Sequence, residues 1–188
     1  MYVKRKTMKI FPAIIFGICL LMCFSCKEDP TEVLPESPAE VSTFYLIRHA
    51  EKDRTNPDNP DPELNQKGLG RAMHWAEILE DVPLDAIYST DFERSRMTAA
   101  PVSVKKDLSI TYYDPAGMDV DLFLAENLGK QVLVVGHSNT TPDLVNRLSG
   151  EVRYPQMDDE DNGSLYIVTR VGDQSSVTRL QFNCNCPE

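Results

Sequence analysis

Short apolar segments alternating with amphipathic ones predict a layered α/β/α sandwich with a mostly parallel central sheet and a C-terminal antiparallel hairpin. Three observations carry this reading. Four β-like segments occur in turn, two of them near-continuous apolar runs of the kind buried on both faces in parallel sheets. Stretches with helical periodicity separate them, as right-handed β–α–β crossovers require. Two further runs near the C-terminus flank Gly172-Asp173, a hairpin turn signal.

In chain order, Val41 to Ile47, Leu84 to Tyr88, Leu108 to Tyr112 and Gln131 to Val135 read as strands. Asn65 opens a helix over Gln66 to Glu80, with Leu69, Ala72, Met73, Ala76 and Leu79 as its apolar face and Glu77 and Glu80 polar. Asp91 caps a second helix that passes through Arg94 to about Val104 despite Pro101. Met118 to Leu128 gives a third, stopped by Gly129. A fourth opens at Thr141-Pro142 and ends near Gly150. Ser164 to Thr169 and Ser176 to Phe182 form the hairpin.

The N-terminal 26 residues stand apart from this pattern. Lys4, Arg5, Lys6 and Lys9 form a positive region before an apolar stretch from Ile10 to Met22. That stretch is shorter than the ~18 to 20 residues of a spanning helix, and Pro12 and Gly17 interrupt it. Met22-Cys23-Phe24-Ser25-Cys26 resembles the end of a bacterial lipoprotein signal, which implies lipidation at Cys26; simple cleavage is the alternative. Lys27-Glu28-Asp29 resembles the acidic address of surface lipoproteins in Bacteroidetes-like bacteria. The expected organisation is a signal over 1–26, a Pro- and Glu-rich tether over 27–40, and one domain over 41–188. The expected location is the cell envelope, at the outer membrane or cell surface of a Gram-negative bacterium, with the lipid as the only membrane contact.

The chain carries 19 Lys and Arg against 29 Asp and Glu, a net −10. Four of those cations and none of the acids precede Cys26, so the remainder holds 15 against 29, or −14. Such a body disfavours nucleic acid and anionic lipid as general partners. Cys184 and Cys186 are left near the C-terminus, able to pair, to stay reduced or to bind metal; an oxidising compartment favours pairing.

Against that acidic background, cations gather at strand ends. Phe44 to Ile47 runs into Arg48-His49, Tyr88-Ser89-Thr90 leads to Arg94, and Val132 to Val135 leads through Gly136 to His137. In open α/β sheets the carboxyl ends of strands form the binding crevice, so these residues outline a phosphate pocket. Neutral imidazole is a nucleophile toward phosphorus, and arginines beside it keep it neutral and hold the transferring oxygens. Taken singly, His49 could cap a strand, His137 could satisfy a turn and Arg94 could pair with Glu93 or Asp91; the ordered set favours an active site. Ser89 and Asn139 are further candidate phosphate contacts, Arg96 competes with Arg94, and His74 reads as surface or packing.

The R-H-A-E start, the Y-S-T-x-x-x-R-x-x-x-T-A block and the V-V-G-H-S-N-T segment together resemble the histidine phosphatase superfamily, with its phosphoglycerate-mutase-like fold, from about Val41 to Val168. The resemblance implies a phosphorylated nucleophile at His49 with Arg48, Arg94 and His137 around the phosphate, and no cofactor. Its spacing selects Arg94 over Arg96. The family's usual acidic residue between the second arginine and the last histidine has no clear match. Asp114, before Pro115, is the first candidate for the acid, or else a turn residue; Glu51 is the second.

The 42 residues between Arg94 and His137 resemble the small phosphohistidine-phosphatase-like members more than mutases with capping insertions, and an exported enzyme lacks the mutases' intracellular phosphorylated cofactor. Ser138 after His137 departs from the phytase-like branch. The expected function is thus metal-independent hydrolysis of a small phosphorylated substrate, a phosphate monoester or phosphohistidine, by a phosphohistidine route. A non-catalytic phosphate-binding lipoprotein is the alternative, and a metal hydrolase using His49, Glu51 and His137 is a third possibility.

Overall fold

The computed structural model describes residues 39–184 and 186. The signal, Cys26 and nearly all of the tether therefore lie outside the described residues. Among those described, no helix is long and apolar enough to cross a membrane.

Six strands form one mixed sheet in the order β3-β2-β4-β1-β5-β6. They are β1 Val41–Arg48, β2 Ala86–Thr90, β3 Ile110–Tyr113, β4 Gln131–Gly136, β5 Ser164–Val171 and β6 Gln174–Gln181. The first four run parallel to one another, and β5 and β6 close the sheet as the antiparallel hairpin turning at Gly172-Asp173. The helices are α1 Gln66–Ile78, α2 Glu93–Lys106, α3 Val120–Glu126 and α4 Thr140–Ser149.

Side chains alternate across the sheet and fill two cores. Phe44 and Leu46 of β1 and Val132 and Val134 of β4 pack with Phe123 of α3 and Leu144, Val145 and Leu148 of α4. Ile47, Leu133 and Val135 point the other way, onto Trp75 and Ala76 of α1 and Ala99 and Val102 of α2. Burial on both faces explains why β4 reads as an uninterrupted apolar run.

Several boundaries move for local reasons. Strand β2 begins at Ala86, because Leu84 and Asp85 form its lead-in, with Asp85 Oδ2 accepting from Gln131 N. Helix α3 begins at Val120, because the Asp119 carboxylate caps it by accepting from the amides of Asp121 and Leu122. On α1 the Asn65 cap is present, accepting from Gly68 N. The buried face, however, is Gly68, Arg71, Ala72, Trp75 and Ala76. Leu69 and Met73 are exposed, Met73 by 58%. Asp91 does not cap α2, since Arg96 holds it; the α2 amide of Glu93 is instead capped across the chain by Asp61. Cys184 and Cys186 are joined as a disulfide.

Two glycines permit close approach at the site end of the sheet. A Cβ at Gly68 would overlap the Glu51 carbonyl oxygen, so α1 lies directly on the segment after β1. A Cβ at Gly136 would crowd the Thr140 and Thr141 hydroxyls, which bond His137 N and Ile47 O respectively. Gly68→Ala should therefore cost about 1–3 kcal/mol of folding stability, as overpacking does, measured as a lower urea midpoint at unchanged slope.

Candidate active site

The parallel register of β1 and β4 sets Arg48 opposite Gly136, so His49 and His137 leave adjacent strands at the same edge. His49 N donates to Gly136 O at 2.9 Å, and the two imidazole centroids are 5.4 Å apart. Strand β2 flanks β4 on the other side and ends at Thr90. Its next residues turn into α2, where Arg94 lies in the first turns.

His49 is 3% exposed. Its Nδ1 lies 2.7 Å from Ala50 O, an acceptor, so Nδ1 carries the proton and Nε2 keeps its lone pair. Asn162 Nδ2 donates to His49 O at 2.9 Å. Ala50 N donates to Thr98 Oγ1, and that hydroxyl donates to Arg94 O one turn back on α2. The four-residue step from Arg94 to Thr98 is thus a mechanical link between the arginine's helix and the histidine's strand.

Arg48 is 2% exposed. Its Nη1 donates to Asp158 O at 2.9 Å and Asp159 O at 2.8 Å, and its Nη2 donates to Asp159 Oδ1 at 2.6 Å. Arg94 Nη1 reaches Asp61 Oδ1 at 3.4 Å, and its guanidinium stacks 4.5 Å from the Phe92 ring. Phe92 in turn meets the His137 ring edge-on at 5.0 Å. Both arginines leave Nε buried without a partner. An unpaired buried donor is costly, and two in one place mark where anionic oxygens would bind.

His137 Nε2 is 2.9 Å from Thr90 Oγ1, which is itself 2.9 Å from Ser95 Oγ. Arg94 Nη2 lies 3.5 Å from His137 Nδ1, and because a guanidinium only donates, Nδ1 accepts there while Nε2–H donates to Thr90 Oγ1 and Thr90 donates in turn to Ser95 Oγ. Burial, then the charges of Arg48, Arg94 and His137, push the His49 pKa down to about 3 against the opposing pull of the Ala50 carbonyl. Burial, then Arg94 and Arg48, lower His137 to about 4, with Asp61 opposing. Both rings are neutral at physiological pH.

Three expectations are corrected. Ser89 is fully buried and its hydroxyl donates to Thr90 O, so it presents nothing to a phosphate; Thr90, one residue on, makes the site contact. Asp114 is a turn residue, its Oδ1 accepting from Ala116 N, and it lines a separate depression with Tyr113, Met118 and Phe123. Glu51 is held by Arg71 through both carboxylate oxygens at 2.8–3.0 Å. Burial works against its charge, yet Arg71's hydrogen bonds prevail and keep its pKa low, so neither acid candidate stands. With Glu51 engaged, the set His49, Glu51 and His137 is not assembled as ligands, and among the described residues no three His, Cys, Asp or Glu converge on a metal position. Asn139 is exposed at the start of α4 and makes no capping bond through its side chain. Arg96 faces away, bound to Asp91 and Glu93, and His74 sits against Glu77.

Sequence reasoning did not find Asp61, Asp159, Asn162 or Lys52. The first lies in a Pro-rich loop and the next two in an acidic run, and nothing in either composition distinguishes a site residue from a solvated one. Arg48, His49, Lys52, Arg54, Lys67 and Glu160 share a cavity of about 490 Å³.

Residues 44–115 match the family described as Histidine phosphatase superfamily (branch 1). Over those residues the chain is similar to that superfamily. The match ends before His137, and the remainder rests on shape. A mycobacterial glucosyl-3-phosphoglycerate phosphatase is similar at 16% identity and a TM-score of 0.62, over 77% of this chain and 100% of that one. The protein histidine phosphatase SixA complexed with tungstate is similar at 18% and 0.57, over 74% and 96%. A phosphoglycerate mutase from Bacillus anthracis is similar at 18% and 0.58, over 76% and 93%. Comparison with curated proteins found no match.

The lowered histidine values give a pH prediction. The unfolded chain, with histidines near 6.5, binds protons that the folded one does not between there and about 3 or 4. The associated stability is present above about pH 6.5 and is lost as pH falls through that window. Ring NMR signals of His49 and His137 should stay those of neutral imidazole down to about pH 5. Titration of either ring near 6.5 would contradict this electrostatic picture.

Proposed function

We propose that the domain is a metal-independent phosphatase that hydrolyses phosphate monoesters or phosphohistidine through a phosphohistidine formed on His49. The observation that carries the reading is the pair of buried, partnerless Nε–H donors of Arg48 and Arg94 beside two neutral imidazoles. His49 Nε2 attacks phosphorus in line with the leaving group. The Nε–H groups of Arg48 and Arg94 hold the equatorial oxygens beside His137, where positioning and charge stabilisation do most of the catalysis. Water then attacks the phosphohistidine and releases inorganic phosphate.

Hydrolysis is favoured over mutase chemistry because the span between α2 and β4 holds only the short β3 and the seven-residue α3, with no capping insertion. Two of the similar structures are named for phosphatase activity, and one holds tungstate, a tetrahedral oxyanion. The loss of both carboxyl acid candidates gives the alternative, a non-catalytic phosphate-binding protein, its one specific support. Small phosphorylated molecules fit a cavity of this size better than polymers do, and the acidic body repels bulky polyanions.

We also place the protein in the cell envelope through a lipid on Cys26, on the strength of the Met22 to Cys26 sequence. Labelled fatty acid should enter the wild type and not Cys26→Ser; equal labelling of the two would remove the anchor.

The full chain in detergent should hydrolyse p-nitrophenyl phosphate in the presence of EDTA. His49→Ala should reduce turnover to background, and Arg94→Met should lower kcat about 10²- to 10³-fold. Phosphate binding without turnover in the wild type would instead support the binding protein.

A further inference from the structure

Departure of an alcohol from phosphorus requires a proton, and the carboxyl groups around the cavity are committed elsewhere, save that of the exposed Glu160. Glu51 is bound by Arg71 and Asp159 bridges Arg48 and Arg54. Asp53 accepts from Thr55 N, and Asp61 caps α2 beside Arg94. A carboxyl in a cleft with a surplus of arginine and lysine is held as the anion and has no proton to give. An ammonium in the same cleft has one, and the surrounding cations make it more acidic.

Lys52 meets that description. It lines the His49 cavity three residues beyond the nucleophile. An antiparallel bridge to Leu64 and the bond from Asp53 N to Glu63 O fix its backbone. Burial lowers its pKa first and repulsion from Arg54, Arg94 and Arg48 adds to this, with Asp159 alone opposing. It shares that cavity with Arg48 and His49, and its charge adds to those that lower the His137 pKa. Lys67 and the exposed Glu160 also line the cavity.

We propose that Lys52 is the catalytic proton donor to the leaving-group oxygen, and that the substrates are accordingly phosphate esters of ordinary alcohols. The assignment rests on the phosphatase reading above. In the first step the bond from His49 Nε2 to phosphorus forms, the ester P–O bond breaks, and a proton passes from Lys52 Nζ to the departing oxygen. In the second, water oxygen bonds to phosphorus, the P–Nε2 bond breaks, and the neutral amine takes the proton from that water. The lysine returns to its ammonium form and inorganic phosphate is released.

The test compares glycerol phosphate, whose leaving group needs a proton, with p-nitrophenyl phosphate, whose leaving group does not, using the full chain in detergent. Lys52→Met should lower kcat/KM about 10²- to 10⁴-fold on glycerol phosphate while changing it less than about fivefold on p-nitrophenyl phosphate. Lys52→Arg should not restore the alkyl ester, because guanidinium keeps its proton. Equal loss on both esters, or rescue by Lys52→Arg, would overturn the assignment by showing that charge alone matters. So would a loss confined to the alkyl ester in Glu160→Gln with Lys52→Met intact, which would move the proton to that carboxyl. A wild type that cleaves p-nitrophenyl phosphate but not alkyl phosphates would overturn the lysine role and leave the phosphatase reading standing. Absence of hydrolysis on both esters, or activity surviving His49→Ala, would sink both.

Discussion

Positive charge held out of water without full neutralisation is the constraint on which this site depends. Arg48 is almost wholly buried, Arg94 lies nearby, and each is tied by its Nη end to one aspartate, Asp159 or Asp61. The ties fix the guanidinium planes and offset part of the burial cost, yet both Nε–H groups remain unpaired. Burial, reinforced by the residual field, keeps His49 and His137 neutral, so the charges that attract a phosphate also help to keep the His49 lone pair available. An incoming anion would relieve both costs at once. Groups that destabilise the empty fold are thereby converted into affinity for ligand.

The sheet topology is what brings these charges together. Strand β4 lies between β1 and β2, so three strand ends deliver Arg48-His49, His137 and Thr90 side by side. Local bonds then lock the arrangement. Thr98 joins α2 to the residue after His49, Thr140 accepts from His137 N, and Asn162 carries the end of β1 to the start of β5. Gly68 and Gly136 let α1 and α4 approach closely enough for those bonds to form. The antiparallel hairpin contributes differently, since the segment leading into β5 supplies the carbonyls and the carboxylate that hold Arg48.

Much of this was legible in the sequence, for a physical reason. Apolar runs and helical periodicity report burial directly, so the four parallel strands, four helices and closing hairpin appear at nearly their true limits. The residues that carry charge at strand ends were visible because Arg and His are out of place after apolar runs. Long-range polar contacts leave no such trace. Asp61 and Asp91 are both acids near the start of α2, and only the fold decides that the distant one caps it. Ser89 and Thr90 are adjacent hydroxyls, and strand geometry turns the first inward and the second toward His137. Leu69 and Met73 fit the apolar stripe of α1, yet the stripe that packs includes Arg71, whose charge is buried against Glu51.

The central claim is that His49 Nε2 forms a bond to phosphorus. The most direct measurement is to mix the protein with a phosphate ester, stop the reaction within milliseconds at alkaline pH, where phosphohistidine survives, and map the mass of the peptide carrying His49. The account predicts one added phosphoryl group on that ring, transient and decaying as inorganic phosphate appears. Turnover with no phosphoryl group on His49 at any time, or with one on His137 instead, would contradict it.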